Sequence, residues 1–188
     1  TIDMLLHHTS GLRDWGAVAG IGGWPRTTRT YTQDHVREII WRQTATNFTP
    51  GTAYGYSNSN YSMLVFLVEK VSGTSLQAFT EARLFKPMGM DHTQWRDNYR
   101  EIVSGRAQAY TGLISQYALL MPFENTFGHG GLLTTTEDLS KWNSRWQNDR
   151  LGAELNLLQQ ERGILANGKA IDYARGVSVN SYNGFRQI

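Results

Sequence analysis

The sequence predicts an α+β protein: a mainly helical domain comes first and β-hairpin strands come last. Three observations predict it. Apolar residues recur at helical spacing from about Ser59 to Ser72, as Tyr61, Leu64, Val65, Val68 and Val71, with Gly73 as the stop. Hydroxyl side chains stand where helices would start, at Thr32, at Ser75 and in the run Thr134-Thr135-Thr136-Glu137-Asp138. Two Asn-Gly pairs, Asn167-Gly168 and Asn183-Gly184, fall at the end, and such pairs favour tight hairpin turns.

In chain order, Thr1–His8 reads as a short helix with Met4, Leu5 and His8 on one side, stopped by Thr9-Ser10-Gly11. Trp15–Thr30 is Gly-rich and reads as a surface loop, where Trp15 and Trp24 either line a substrate groove or pack. Thr32 caps a helix reaching about Thr44, with Val36, Ile39 and Ile40 inward. Pro50-Gly51 marks a turn before the long helix. Ser75 starts another helix that buries Leu76, Phe79 and Leu84 and stops near Pro87. Met88–Ala118 has no sustained period. The Thr134–Asp138 run opens a helix to about Trp146 that buries Leu139, Trp142 and Trp146, with a short helix near Ala153–Gln160 after it. Tyr173–Val179 reads as a strand, and Asn183-Gly184 leads into a second at Phe185–Ile188.

Composition narrows the function classes. The chain has 188 residues, 40% hydrophobic and 18% charged, enough for a packed core. A net charge of +2, with Arg scattered rather than clustered, argues against a nucleic-acid footprint. No apolar run approaches the ~20 residues of a membrane span. Cysteine is absent, which removes thiol chemistry and cysteine metal sites. The five histidines show no His-x-x-x-His spacing, so neither a metal nor another cofactor is expected. The opening Thr1-Ile2-Asp3-Met4-Leu5-Leu6 reads as the interior of a longer chain.

Nucleophile motifs are missing. There is no Gly-x-Ser-x-Gly, and none of Lys70, Lys86, Lys141 and Lys169 has a Ser three residues before it. The segment that stands out is Tyr54-Gly55-Tyr56-Ser57-Asn58-Ser59-Asn60. In an extended loop Tyr56 and Asn58 point the same way and Ser57 the other. A phenol and a carboxamide then share one spot directly before a helix N-terminus, whose free N–H groups favour an anion. A free phenol has a pKa of ~10, so a base role near neutral pH needs such help plus a cation. The plainer reading has Tyr56 packing and Asn58 capping the helix.

Context favours the chemical reading. Phe48-x-Pro50-Gly51-x-x-Tyr54-x-Tyr56-Ser57-Asn58-Ser59-Asn60-Tyr61 followed by Val68-Glu69-Lys70-Val71-Ser72-Gly73 closely resembles the serine β-lactamase superfamily, in its branch of class C β-lactamases, DD-peptidases and related esterases. Three further blocks match in order: Leu5-Leu6-His7-His8-Thr9-Ser10-Gly11-Leu12, Phe85-Lys86-Pro87-Met88-Gly89-Met90-x-x-Thr93, and Gly130-Gly131-Leu132-x-x-Thr135-x-x-Asp138-Leu139.

The resemblance implies a β-lactamase/transpeptidase-like parent fold. Residues 1–160 would be its helical domain with cleft-lining loops, and 161–188 the start of the return into an antiparallel sheet. It implies a serine acyl hydrolase acting through an acyl-enzyme on a small acyl substrate: a β-lactam, an ester or a peptidoglycan-type D-amino-acid amide. Tyr56 would be catalytic, as proton relay, and Asn58 substrate-binding. The nucleophile's Ser-x-x-Lys would lie upstream of Thr1 and the Lys/His-x-Gly strand after Ile188, so this chain alone would be inactive. His129-Gly130-Gly131 spells His-x-Gly but sits in the Gly-Gly-Leu block, where it reads as a tight turn. His8 belongs to the cleft floor, and His7, His35 and His92 are expected at the surface or at caps. The resemblance favours a periplasmic or secreted protein. The rival reading is a non-catalytic helical fragment or a penicillin-binding-like module.

Overall fold

The computed structural model describes residues 1–24, 29–113, 116–121, 124–148 and 151–188. Helix α1 (Ile2–Leu6) is capped by the Thr1 hydroxyl. Next come α2 (Trp15–Ile21), β1 (Tyr31–Thr32) and α3 (Gln33–Trp41), and then α4 (Asn58–Ser72), the longest helix described. Beyond it lie α5 (Leu76–Thr80), a π-turn (Glu81–Phe85) and α6 (Lys86–Met88), which form one continuous helical path. The remainder is β2 (Gln94–Trp95), β3 (Tyr110–Leu113), β4 (Gln116–Leu119), β5 (Glu124–Asn125), β6 (Leu132–Leu133), α7 (Thr136–Asn148), α8 (Ala153–Gln160), β7 (Asn180–Tyr182) and β8 (Phe185–Gln187). The strands form two-stranded pairs: β1 with β5 in parallel, and β2 with β6, β3 with β4 and β7 with β8 antiparallel.

Local chemistry accounts for many of the boundaries. Thr32 and His35 form a reciprocal capping box at α3. Ser75 caps α5 through the Ala78 N–H. Gly73 ends α4 and Gly89 ends α6, both with left-handed φ. In α7 the Thr135 hydroxyl accepts from the Asp138 N–H at 3.2 Å, so the second of the two overlapping capping pairs sets its start. Asn183 and Gly184 both take positive φ, 49° and 80°, the requirement of a two-residue type I′ hairpin between β7 and β8.

The core is three adjoining clusters. Trp15, Ala19, Tyr31, Val36 and Ile40 bind α2, β1 and α3 together, with Met63 and Phe66 of α4 against them. Val65, Leu76 and Phe127 form the second, and Phe85, Met88 and Met90 the third, joined through Trp95. Full burial of one such side chain stabilises by roughly 1.5–3 kcal/mol, so α4 is anchored on two clusters at once.

Several expectations are corrected. Trp15–Thr30 is not a loop throughout: Asp14 caps α2 there through the Ala17 N–H. Trp15 is buried, and Trp24 packs against the same cluster, so both belong to the core rather than to a groove. Strands β1–β6 lie inside the segment read as helical; at two to four residues each they leave no period to detect. Leu139 and Val71 are exposed. On α7 the inward face instead carries Asp138, whose carboxylate is bonded to His92, Thr93 and Lys141, and Arg145, whose two terminal nitrogens donate to Asn156 and Gln159. The Trp146 side chain lies outside the described residues. Tyr173–Val179 contributes one isolated bridge, Tyr173 to Ser178, rather than a strand. His7 takes the capping alternative, at the C-terminal end of α1, and is buried between the Asp3 and Glu161 carbonyls rather than at the surface.

Candidate active site

The chain crosses its own path at the start of α4. Residues 8–15 lie under residues 55–60 and the two segments are laced by hydrogen bonds. The Gly55 N–H donates to the His8 carbonyl at 2.9 Å. The Ser57 N–H donates to His8 Nδ1 at 3.3 Å, and Asn60 Nδ2 approaches the same atom at 2.9 Å. The Ser10 hydroxyl donates to Asn60 Oδ1 at 2.5 Å. Ser59 Oγ accepts from the Trp15 N–H at 2.9 Å and donates to the Arg13 carbonyl at 2.7 Å. Gly11 permits the crossing: its φ is 74° and an added Cβ would meet the Phe48 carbonyl oxygen at 2.4 Å.

His8 is the centre of this floor. It is fully buried and sits at φ 55°, uncommon for a residue with a side chain. With Nδ1 accepting from Ser57 and Asn60, the neutral ring carries its proton on Nε2. Rings of Tyr56, Tyr173, Tyr61 and Tyr54 surround it, with centroids 4.4, 4.9, 5.1 and 6.3 Å away. Burial is the main force that pushes its pKa down, to about 4, and the neighbouring His7 adds to it. His8 therefore grips the backbone on both sides of Tyr56 and supports the Tyr56 ring from below. Burial also raises the Tyr61 and Tyr173 hydroxyls above the ordinary phenol range.

On this floor Tyr56 and Asn58 stand side by side. The Tyr56 ring is 57% exposed, and its hydroxyl donates to Asn58 Oδ1 at 3.2 Å. Ser57 turns inward and is 2% exposed, as the alternation of an extended loop requires. Asn58 does not cap α4. Its side-chain Nδ2 and its backbone N–H both donate to Asp14 Oδ2, each at 2.7 Å. Asp14 is thus shared between two helices, capping α2 with one oxygen and holding Asn58 with the other. Sequence reasoning missed Asp14; the signal available was its position directly before Trp15, where an aspartate starts a helix.

His129 does not join the pair. It lies under Trp15, 5.3 Å between centroids, and within 3.2 Å of the Ser62 hydroxyl of α4, in a turn made by Gly128 and Gly131 at positive φ. An added Cβ at Gly128 would meet Val65 Cγ2 at 2.0 Å, so the turn is pressed onto α4. Among the described residues no cluster of His, Asp and Glu could hold a metal ion, and no helix is long and apolar enough to cross a membrane. Tyr54 lines a cavity of about 420 Å³ with Lys169, Asp172, Tyr173 and Ser178.

A family model described as Beta-lactamase matches residues 1–180. The chain belongs to the β-lactamase family. A D-aminopeptidase of Cereibacter sphaeroides is 33% identical to this family member over 90 residues, 48% of this chain and 17% of the relative. Penicillin-binding protein 4* of Bacillus subtilis is 27% identical over 190 residues, 94% of this chain and 42% of the relative. Among solved structures, a D-stereospecific amidohydrolase from Streptomyces sp. superposes with a TM-score of 0.81 at 19% identity, covering 99% of this chain and 58% of that one. The fold is therefore the β-lactamase/transpeptidase-like fold, and this β-lactamase-family chain spans less than half the length of the curated relatives it matches.

Proposed function

We propose that the protein carrying this chain is a serine acyl hydrolase working through an acyl-enzyme, with Tyr56 and Asn58 in its site. The observation that supports this most is the Tyr56 hydroxyl, held 3.2 Å from the Asn58 carboxamide on an exposed rim by a buried floor. Of the acyl substrates considered, a D-amino-acid amide fits best with relatives named as a D-aminopeptidase and a D-stereospecific amidohydrolase. β-Lactams and esters share the same chemistry.

In this reading a serine outside residues 1–188 attacks the carbonyl and its proton leaves through Tyr56 and a partner cation. No Lys or Arg of the described residues pairs with the Tyr56 hydroxyl, so that cation is supplied by another part of the protein. Tyr56 then returns the proton to the leaving amine, and water releases the acid by the reverse steps. Asn58 holds the acyl part of the substrate beside it. The chain alone contains no Ser-x-x-Lys, so it contributes half a site and does not turn over by itself.

The test is a panel on the full-length protein: nitrocefin, p-nitrophenyl acetate and D-alanine p-nitroanilide, with intact mass measured after quenching. A covalent acyl adduct with any of them supports the reading. No adduct and no hydrolysis across the panel supports the rival, a non-catalytic module.

A further inference from the structure

We infer that the chain carries a second ligand site, sharing no residue with the Tyr56–Asn58 site, that takes an aliphatic diamine or polyamine. The site is a cavity of about 440 Å³ between the helical path of α5, the π-turn and α6 on one side and β2 with the loop after it on the other. That volume lies in the range of small-ligand pockets.

The floor is built from core residues. Phe85 and Met90 are buried in the third cluster, and Trp95 of β2 joins that cluster to the second. The Trp95 indole N–H donates to the Thr80 hydroxyl at 2.9 Å, which holds the ring in place. All three side chains also line the cavity, so the core shows an apolar surface there.

The walls are carboxylates. Glu81, Asp91, Asp97 and Glu101 face a single cation, Lys86, which Glu81 already holds at 2.8 Å. Asp91, Asp97 and Glu101 pair with no cation among the described residues. Gln77 adds an unused acceptor. Its Nε2 donates to Asp97 Oδ2 at 3.3 Å, while its Oε1 is shut off from solvent and has no hydrogen-bond partner. An amide oxygen so placed costs free energy until an N–H reaches it, and a ligand N–H in this cavity supplies one.

The spread of the charges selects the ligand. Among the described residues no three carboxylates lie close enough together to hold a metal ion, so a bare divalent cation has no seat. An amine with one charge answers one wall and leaves the others uncompensated. A diamine or polyamine keeps all its ammonium groups charged at neutral pH and sets them on separate walls. Its methylenes then cover Phe85, Met90 and Trp95, and the Trp95 ring attracts an ammonium over its face.

Isothermal titration calorimetry on the full-length protein tests this with spermidine, 1,5-diaminopentane, pentylamine, N-acetyl-lysine amide and magnesium chloride. Pentylamine has the stem with one charge, and the lysine derivative stands for a peptide side chain. Spermidine should bind in one equivalent and about tenfold or more tightly than either monocation, and its affinity should fall as salt screens the walls. Magnesium should not compete beyond its ionic strength. Asp97→Asn combined with Glu101→Gln should weaken spermidine at least fivefold, the scale of one exposed ion pair. Both residues are exposed, so the fold is kept. Tyr56→Phe should bind spermidine like the parent. No binding of spermidine, equal binding by the double variant, or direct competition by magnesium overturns the inference. Binding of N-acetyl-lysine amide as tight as that of spermidine means that the cavity reads one cation, and overturns it too. If the double variant does not fold, the parent still decides: equal affinities for pentylamine, diaminopentane and spermidine refute the assignment. None of these results depends on the hydrolase reading.

Discussion

Acidification should weaken this protein through His8, and the size of the effect follows from its burial. The ring is fully buried with both Nδ1 contacts made as an acceptor, so protonation would put a charge into an aromatic box and turn Nδ1 into a clashing donor. Its folded pKa is depressed from 6.5 to about 4. Between those values the unfolded chain binds a proton that the folded chain refuses, so stability falls as pH falls. The contribution is intact above pH 6.5 and fully lost below pH 4, a total of about 3 kcal/mol. Between pH 7 and pH 5 the loss is about 2 kcal/mol. The control is His8→Asn: asparagine tolerates the left-handed φ of 55° but does not titrate. Urea unfolding followed by circular dichroism at pH 7 and pH 5 gives the difference for each protein. Every other titrating group is common to both, so the extra loss in the parent belongs to His8. Parallel losses in parent and variant would refute the reasoning.

The remaining predictions are briefer. In the full-length protein Tyr56→Phe should lower kcat by roughly 10²-fold or more, the scale of a lost acid–base group, whereas Asn58→Ala should act mainly on KM; steady-state kinetics on the best substrate of the panel checks both. Residues 1–188 expressed alone should neither hydrolyse nitrocefin nor gain mass with it, because none of their serines has an activating lysine three residues on. Gly11→Ala should destabilise by about 2 kcal/mol or more, since the new Cβ meets the Phe48 carbonyl at 2.4 Å with φ at 74°, and a thermal scan against the parent measures it.

What could be read in the sequence was local. The Thr32 cap, the Ser75 cap and the Asn183-Gly184 turn each depend on residues a few positions apart, and each sits where it was expected. The helix at Ala153–Gln160 has the expected limits. The relation of Tyr56, Ser57 and Asn58 also followed, because alternation is a property of any extended loop. What was missed is long-range or masked by composition. Gly16 and Gly20 made α2 look like a loop, although Asp14 caps it. Tyr31 pairs with Glu124, a contact that no local pattern records. His7 is buried by residues near Glu161, far along the chain. The hold of Asp14 on Asn58 spans 44 positions and decides which way the amide faces, a question the motif itself leaves open.

The central claim is that Tyr56 and Asn58 stand at the reacting bond of an acyl-enzyme. A crystal structure of the full-length protein, trapped with the substrate that acylates it, tests this directly. The account predicts the acyl group on a serine outside residues 1–188, with the Tyr56 hydroxyl within about 3 Å of the ester oxygen on that serine. Acylation of a serine within residues 1–188, or a Tyr56 hydroxyl too far from the ester for even one bridging water, would contradict it.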